Sequence, residues 1–248
     1  MKEQKNETYY KRNLPHYQPE GYTFFVTFRL AGSLPIAVIK KLKEDKEKEL
    51  KKIACMTSQK QKAIKYYEYQ SKYFGRFDGL LDKSESSPMW LQEEGVAEIV
   101  KEAIHFRDGK EYELVAYTIM PNHVHLVFRP IVGDINVTLQ NVNRDLSREN
   151  NNNSTDQIGS GINVTLQKSN YLVTDILRKL KGSTARDCNK LLKRTGAFWH
   201  HESYDHVVRN IEELRRIVNY VLLNPVKAGL VDDYEKWKWS YYNPKYLM

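Results

Sequence analysis

The sequence predicts an α+β fold with an antiparallel sheet, a β-α-β-β-α-β order of elements, and a final helix after the last strand. Stretches rich in β-branched and aromatic residues alternate with stretches in which apolar residues recur at helical spacing. A hairpin in mid-chain, with Pro121-Asn122 as its turn, joins two of the strands directly. This order is typical of a ferredoxin-like core with its helices on one face of the sheet.

The first strand is followed by a long basic insertion. Residues 22–30 (YTFFVTFRL) are predicted to form the strand, and a lysine-rich helical pattern covers 36–72. A loop is predicted at 74–88 and a second helix at 90–106, so the helical insertion spans about 36–106. Its lysines indicate a solvated helix face, and a surface for nucleic acid is the less favoured alternative.

The middle of the chain combines the hairpin with a low-complexity segment. Strands are predicted at 112–119 and 123–129, on either side of the turn. An asparagine-rich insertion follows at about 131–170, in which the hexapeptide INVTLQ occurs at 135–140 and again at 162–167. Two copies are too few to stack as a repeat architecture, so the segment is predicted to be a flexible loop.

The last third of the chain predicts a helix, a strand and a final helix. The helix covers 171–192, the strand 198–208, and the final helix 211–224. Pro225 is expected to end that helix, because proline lacks a backbone donor and restricts the residue before it. All of these elements are predicted to form a single domain over residues 1–248.

Composition narrows the class of partner. The chain has 248 residues, 41% of them hydrophobic, and carries 39 basic against 31 acidic side chains for a net charge of +8. This balance favours an acidic partner such as nucleic acid, although a basic protein without such a partner has the same composition. The two cysteines lack metal-ligand spacing, and no segment is typical of a signal peptide or membrane span, so a cytoplasmic protein is predicted.

The hairpin carries a pair of histidines. In residues 116–128 (AYTIMPNHVHLVF), His123 and His125 stand one residue apart on a strand and therefore point to the same face. Two imidazoles on one strand face can bind a single divalent metal ion. For an isolated His-x-His the favoured alternative is two partly exposed histidines on an amphipathic strand.

The final helix carries a second pair of polar residues. Tyr220 and Asn224 are four residues apart and therefore lie on one side of the helix. Asn224 is near the helix C-terminus, where the helix dipole favours a cation. Its carbonyl oxygen, added to two imidazoles, suits Mg²⁺ or Mn²⁺. The alternatives are a core tyrosine and an asparagine that ends the helix.

Taken together, these motifs resemble the single-tyrosine HUH transposases, and most closely the REP-associated tyrosine transposases. The resemblance covers about 13–242 and rests on YTIMPNHVHLVF, FWHHESYDHVVRN, NYVLLNPVKAGLV and WKWSYY. It implies that Tyr220 is the nucleophile and that His123, His125 and Asn224 hold the metal. Insertion-sequence members usually carry glutamine four residues after the tyrosine, whereas REP-type members carry asparagine, as here.

The resemblance also implies an activity and a substrate. Family members cleave and rejoin single-stranded DNA through a 5′-phosphotyrosine intermediate, on strands that fold into a hairpin, with Mg²⁺ or Mn²⁺. Insertion-sequence relatives act as dimers and REP-type relatives as monomers, so both states stay open for this chain. The alternative is a domesticated protein that binds single-stranded nucleic acid without cutting it. The presence of both histidines, the tyrosine and the asparagine favours the enzyme.

Basic side chains are candidates for contacts with DNA phosphates. Arg129 follows the histidine strand, and the helix at 171–192 has a basic face. The predicted contacts on that face are Arg178, Lys179, Lys181, Arg186 and Lys190.

The roles of three further histidines and of one glutamate have two alternatives each. His200, His201 and His206 favour structural roles over DNA contacts. Glu213 precedes Tyr220 by two turns, and a solvated surface position is favoured over a role as its base.

Overall fold

The computed structural model describes residues 9–11, 15–17, 21–83, 87–131 and 172–246. The predicted loop at 131–170, with both INVTLQ copies, lies outside the described residues except for Ile131. No helix in the described ranges is both long and apolar enough to cross a bilayer.

The described part of the chain combines strands and helices. The strands are β1 (Tyr9–Lys11), β2 (Pro15–Tyr17), β3 (Thr23–Leu30), β4 (Tyr112–Ile119), β5 (His123–Pro130), β6 (Trp199–Val208) and β7 (Ser240–Tyr242). The α-helices are α1 (Ile36–Ala54), α2 (Gln59–Asp82), α3 (Glu94–Arg107), α4 (Leu172–Leu191) and α5 (Ile211–Lys227). Short 3₁₀ helices occur at Trp90–Gln92, Tyr234–Lys236 and Pro244–Tyr246.

The sheet confirms the predicted core. Five strands pair in the order β6-β3-β5-β4-β7, and every pairing is antiparallel. The first four of these strands form the ferredoxin-like arrangement, with β4 and β5 joined as a hairpin. Strand β7 was not predicted; it extends the sheet by pairing with β4 from Ala116 to Thr118. Strands β1 and β2 form a separate two-stranded sheet.

One face of the sheet packs on α3 and α4. Alternate residues of β3 and β5, including Phe24, Phe28 and Leu126, are fully buried there against Val100 of α3 and Leu180 of α4. Each such side chain contributes about 1.5–3 kcal/mol on burial. This face is the larger apolar core, and it fixes the register of the strands.

The two helices of the predicted core, α3 and α4, lie on one face as expected, and the opposite face is covered as well, by α2 and by the final helix α5. Phe25 and Val127 point away from the larger core and pack with Phe74 of α2 and with Val218 and Val221 of α5. Strand β3 is buried along its entire length as a result. The basic insertion is the physical reason, because it supplies α2 as an additional cover for the sheet.

Helix α2 corrects the predicted loop at 74–88, because it continues to Asp82. Gly75 and Gly79 weaken its intrinsic helix propensity. Packing outweighs that weakness, since Phe74 and Leu81 lie two turns apart on the same face of the helix and both are buried. The predicted helix over 36–72 is in turn divided, and α2 begins after Ser58, whose side chain accepts a hydrogen bond from the Gln61 amide at 3.4 Å.

Helix α5 corrects the predicted stop at Pro225, because it continues to Lys227 with the proline inside. Proline removes its own amide donor but leaves the carbonyls of the last turn available. The Ala228 amide donates to the Asn224 carbonyl at 3.0 Å, and the Gly229 amide donates to Val226 at 3.0 Å. Gly229 has a φ of 71°, the left-handed conformation that commonly ends a helix.

Candidate active site

Strand β5 places His123 and His125 side by side on the face covered by α2 and α5. Their Nε2 atoms are 3.1 Å apart, and both side chains are buried. The two rings therefore converge on one point, as their spacing along the strand predicts.

The tautomer of His123 follows from its neighbour Asn122. The Asn122 amide nitrogen donates to the Leu81 carbonyl at 2.9 Å and to Ser87 Oγ at 3.0 Å. Its oxygen must therefore face His123, whose Nδ1 donates to it at 2.6 Å. The neutral ring then presents its Nε2 lone pair toward His125, the arrangement that metal-binding histidines use.

His125 is held in a similar way by β3. Its Nδ1 is 2.8 Å from the hydroxyl of Thr27, which is its direct neighbour in the strand pairing. Its Nε2 faces both His123 and a carboxylate from α2, that of Asp78, at 3.1 Å.

Asp78 is buried and joins the two halves of the site. Its Oδ1 is 3.1 Å from His125 Nε2 and 3.6 Å from His123 Nε2. Its Oδ2 accepts hydrogen bonds from the Tyr220 hydroxyl and from Asn224 Nδ2. Burial alone would raise the pKa of Asp78, but the histidines and the Tyr220 hydrogen bond outweigh it and lower that pKa well below its usual range.

The atoms at the centre of the site fit a divalent cation. Asp78, His123 and His125 each offer a ligand atom, and these atoms lie within 4.8 Å of one another. Asp78 Oδ1 and Asn224 Oδ1 are buried and have no hydrogen-bond partner among the described residues. Burial and the charge of His125 lower the pKa of His123 to about 3, which keeps its ring neutral. Unpaired oxygens beside the neutral imidazole of His123 leave a cation as the missing partner.

Tyr220 lies next to this group on α5 and is half-buried. Its ring packs against Phe25, Phe74 and His125, with centroid distances of 6.2, 5.6 and 5.7 Å. The Lys227 ammonium lies 4.4 Å from the ring centroid. Burial raises the pKa of Tyr220 strongly, and the charge of Asp78 raises it further. The hydroxyl is thus held protonated and oriented by Asp78.

Asp78 is the site residue that sequence reasoning missed. It falls within the loop predicted over 74–88, whereas the structure places it on α2. It lies four residues after Phe74 and three residues before Leu81, on the same face of that helix. A single acidic residue among apolar positions of one helix face was the available signal, because such a residue is rarely buried without a partner.

The predicted DNA-contacting residues fall on two sides of the sheet. Arg129 is exposed and shares the strand face of His123 and His125. Helix α4 packs on the opposite face, so its basic residues lie on the far side of the sheet from Tyr220. Lys181 is also engaged within the fold, since its ammonium donates to the His200 and His201 carbonyls at 2.7 and 3.1 Å. The remaining four, all exposed, are Arg178, Lys179, Arg186 and Lys190.

Glu213 corrects a prediction, because it is buried and not solvated. Its carboxylate accepts hydrogen bonds from the Tyr67 hydroxyl at 2.6 Å and from the Arg209 amide at 2.8 Å. His206 Nε2 lies 2.9 Å from the same carboxylate. This network ties α2, β6 and α5 together beside the site, which gives His206 a structural partner.

Comparison with known proteins gives one curated relative and one solved structure. No family model matches the chain. A Haemophilus influenzae protein named "Putative REP-associated tyrosine transposase" is 25% identical over 130 residues, which cover 52% of this chain and 58% of that relative. A structure described as a REP-associated tyrosine transposase bound to a REP hairpin aligns over 93% of this chain and 80% of its own, with a TM-score of 0.46 and 16% identity.

Proposed function

We propose that the protein cleaves and rejoins single-stranded DNA through a 5′-phosphotyrosine bond at Tyr220, as a transposase does, on strands that fold into a hairpin. The proposal rests on one observation: a tyrosine hydroxyl and two histidine side chains all lie next to the carboxylate of Asp78. The Tyr220 hydroxyl and the Nε2 atoms of His123 and His125 all face Asp78. A nucleophile beside a set of metal ligands is what phosphodiester cleavage requires.

The metal ligands in this proposal are His123 and His125 together with the unpaired oxygens of Asp78 and Asn224. A mixed set of imidazole nitrogens and carboxylate or amide oxygens supports Mn²⁺ or Mg²⁺. When bound, the ion would act as a Lewis acid on the scissile phosphate. Asn224 Nδ2 donates to Asp78 at 3.1 Å, so the amide also fixes the carboxylate in place.

The chain's own residues supply the nucleophile and its orientation. The Tyr220 oxygen bonds to phosphorus while the bond from phosphorus to the 3′ oxygen breaks. The leaving oxygen takes up a proton and becomes a free 3′-OH, and the hydroxyl proton of Tyr220 is lost. The covalent ester retains the energy of the broken bond, so a later 3′-OH can attack it and rejoin strands without ATP. Asp78 aligns the hydroxyl for this attack.

The curated relative supports this proposal by its name, and the motifs shared with REP-associated tyrosine transposases support the hairpin substrate. The orientation of Tyr220 favours a second candidate, a protein that binds single strands without cutting. Its hydroxyl is bound to Asp78 and its ring is packed under α2 through Phe74. Covalent chemistry separates the two functions.

The test is a denaturing gel of the protein mixed with hairpin-bearing single-stranded DNA and Mn²⁺. We expect a covalent adduct for the wild type and for Tyr204→Phe, whose hydroxyl lies on the same sheet face. Tyr220→Phe should bind DNA without forming the adduct. His123→Ala should lose the adduct and regain part of it at high Mn²⁺, because only metal affinity is impaired. DNA binding without any adduct would establish the non-cleaving function, and cleavage without an adduct would make water the nucleophile.

A further inference from the structure

A cavity of about 370 Å³ lies beside the active site, between α2 and the outer strand β6. This volume is within the range of small-ligand sites, roughly 300–1,000 Å³. Aromatic and charged side chains dominate its lining, and those used below are Tyr22, Lys46, Tyr67, Gln70, Asp205 and Arg209.

The cavity lies at the β6 edge of the sheet, beside the face that carries the active site. Tyr204, which lines the cavity, pairs across the strands with Thr27, and Thr27 pairs with His125. Two strand spacings separate Tyr204 from His125, which is roughly 10 Å. A strand advances at least roughly 3.4 Å per nucleotide, so the cavity lies within about three nucleotides of the scissile phosphate of the proposed reaction.

Tyr67 provides a fixed aromatic surface in this cavity. Its hydroxyl is tied to Glu213 at 2.6 Å, which holds the ring in place. The Arg209 guanidinium lies 4.2 Å from the centroid of the same ring. Tyr22 also lines the cavity, and 46% of its surface is exposed. Tyrosine and arginine planes of this kind are the surfaces on which unpaired bases stack.

The charges inside and outside the cavity suit different parts of a nucleotide. Arg209 and Arg129 line an adjoining depression that also contains Tyr22, and both guanidinium groups are exposed. These two guanidinium groups can bind phosphates of the DNA backbone. Lys46 is buried within the cavity, where the charges of Asp205 and Glu202 offset part of the cost of burial. Together with Gln70, these groups offer donors and acceptors for a base edge.

We propose that this cavity binds one unpaired base of the DNA strand that Tyr220 cleaves, stacked on Tyr67 with its phosphate on Arg209. The inference rests on the proposed function and adds a subsite for the strand. A paired base inside a duplex cannot enter such a cavity, so the occupant is a base from the single-stranded part of the substrate.

The test places the fluorescent base 2-aminopurine at each unpaired position of the hairpin-bearing strand in turn. The protein carries Tyr220→Phe, so that the strand stays intact. We expect quenching at one position, or at two adjacent positions, within about three nucleotides of the cleavage site. Adding Tyr67→Leu should abolish this quenching and weaken binding roughly 5- to 150-fold, the range for loss of one base stack.

Two variants control for indirect effects. Tyr67→Phe retains the ring and loses the bond to Glu213, so quenching should persist. Tyr69→Leu changes a tyrosine of the same helix that does not line the cavity, and quenching should again persist. Arg209→Ala should lower the dependence of log affinity on log salt by about 0.7, the value for one phosphate contact on a single strand.

The outcomes separate this inference from the proposed function. If the wild type forms the adduct but Tyr67→Leu leaves every quenching signal intact, the base pocket is wrong and the cleavage function stands. Binding without quenching at any unpaired position would also overturn the pocket. If the wild type neither binds the strand nor forms the adduct, both proposals fail together.

Discussion

At the scale of single residues, each functional side chain of the site is oriented by a hydrogen bond to a neighbouring side chain. Asn122 fixes the tautomer of His123, and Thr27 holds His125. Asp78 in turn receives the hydroxyl of Tyr220. The spacing of the two histidines in the sequence was sufficient to predict that they share a face, because side chains alternate along a strand with a period of two. It gave no distance between them and Asp78, which depends on how α2 packs across the sheet.

Asp78→Asn tests whether the α2 carboxylate holds the metal. The substitution keeps the size of the side chain and removes its charge, so Mn²⁺ affinity measured by isothermal titration calorimetry should fall at least about tenfold. Glu68→Gln changes an exposed carboxylate of the same helix that pairs with Lys65; it is the control and should change the affinity little. Equal affinities for the wild type and Asp78→Asn would leave the histidines and Asn224 as sufficient ligands.

At the scale of elements, α2 shows why the local pattern was misleading. A loop was predicted over 74–88, yet Phe74 and Leu81 pack on the sheet and keep the segment helical as far as Asp82. Tertiary packing overrode propensity here. The strands of the hairpin were predicted almost to the residue, since an apolar run bounded by turn residues is typical of a buried strand.

Phe74→Ala tests the contribution of α2 to stability. Phe74 packs among Phe25, Tyr204 and Tyr220, so its removal should lower the free energy of unfolding by about 3–5 kcal/mol in urea titrations. Phe106→Ala on α3 is the control, because 64% of that side chain is exposed, and it should change stability by about 0.5 kcal/mol or less. Similar values for the two variants would show that α2 is not anchored by this contact.

On β6, His200 should make stability depend on pH. Burial, with the charge of Arg29 nearby, lowers the pKa of His200 to about 4 from an ordinary 6.5. The unfolded chain therefore binds the proton first, and the free energy of unfolding should fall as pH drops from 6.5 to 4. With allowance for partial exposure, His200→Gln should remove of order 1 kcal/mol of this fall. Superimposable pH profiles for the two proteins would contradict a half-buried, neutral His200 ring.

At the scale of the whole molecule, the order of strands and the layer formed by α3 and α4 followed from the sequence, whereas the cover by α2 did not. Helices between strands, with one direct hairpin, leave few arrangements of the sheet. The second cover by α2 and α5 depends on contacts between distant segments, such as Tyr67 with Glu213. No local pattern encodes such a pairing.

The exposed basic residues of α4 lead to a prediction for DNA binding that is separate from cleavage. The exposed cations of α4 lie on the opposite face of the sheet from Tyr220. If they contact a hairpin duplex, Arg178→Glu with Arg186→Glu should weaken binding and lower the salt slope by about 2. Adduct formation at saturating DNA should be unchanged. An unchanged slope would place the DNA surface elsewhere, with the lysines of α1 as the next candidates.

The central claim is that Tyr220 forms the bond to DNA, and mass spectrometry of the adduct tests it most directly. Trypsin should release residues 217–227 (IVNYVLLNPVK), in which Tyr220 is the one tyrosine. After nuclease digestion of an adduct formed with Mn²⁺, this peptide should carry a 5′-linked nucleotide on Tyr220. The same nucleotide on a peptide containing Tyr204 or Tyr117, with the 217–227 peptide unmodified, would contradict the account.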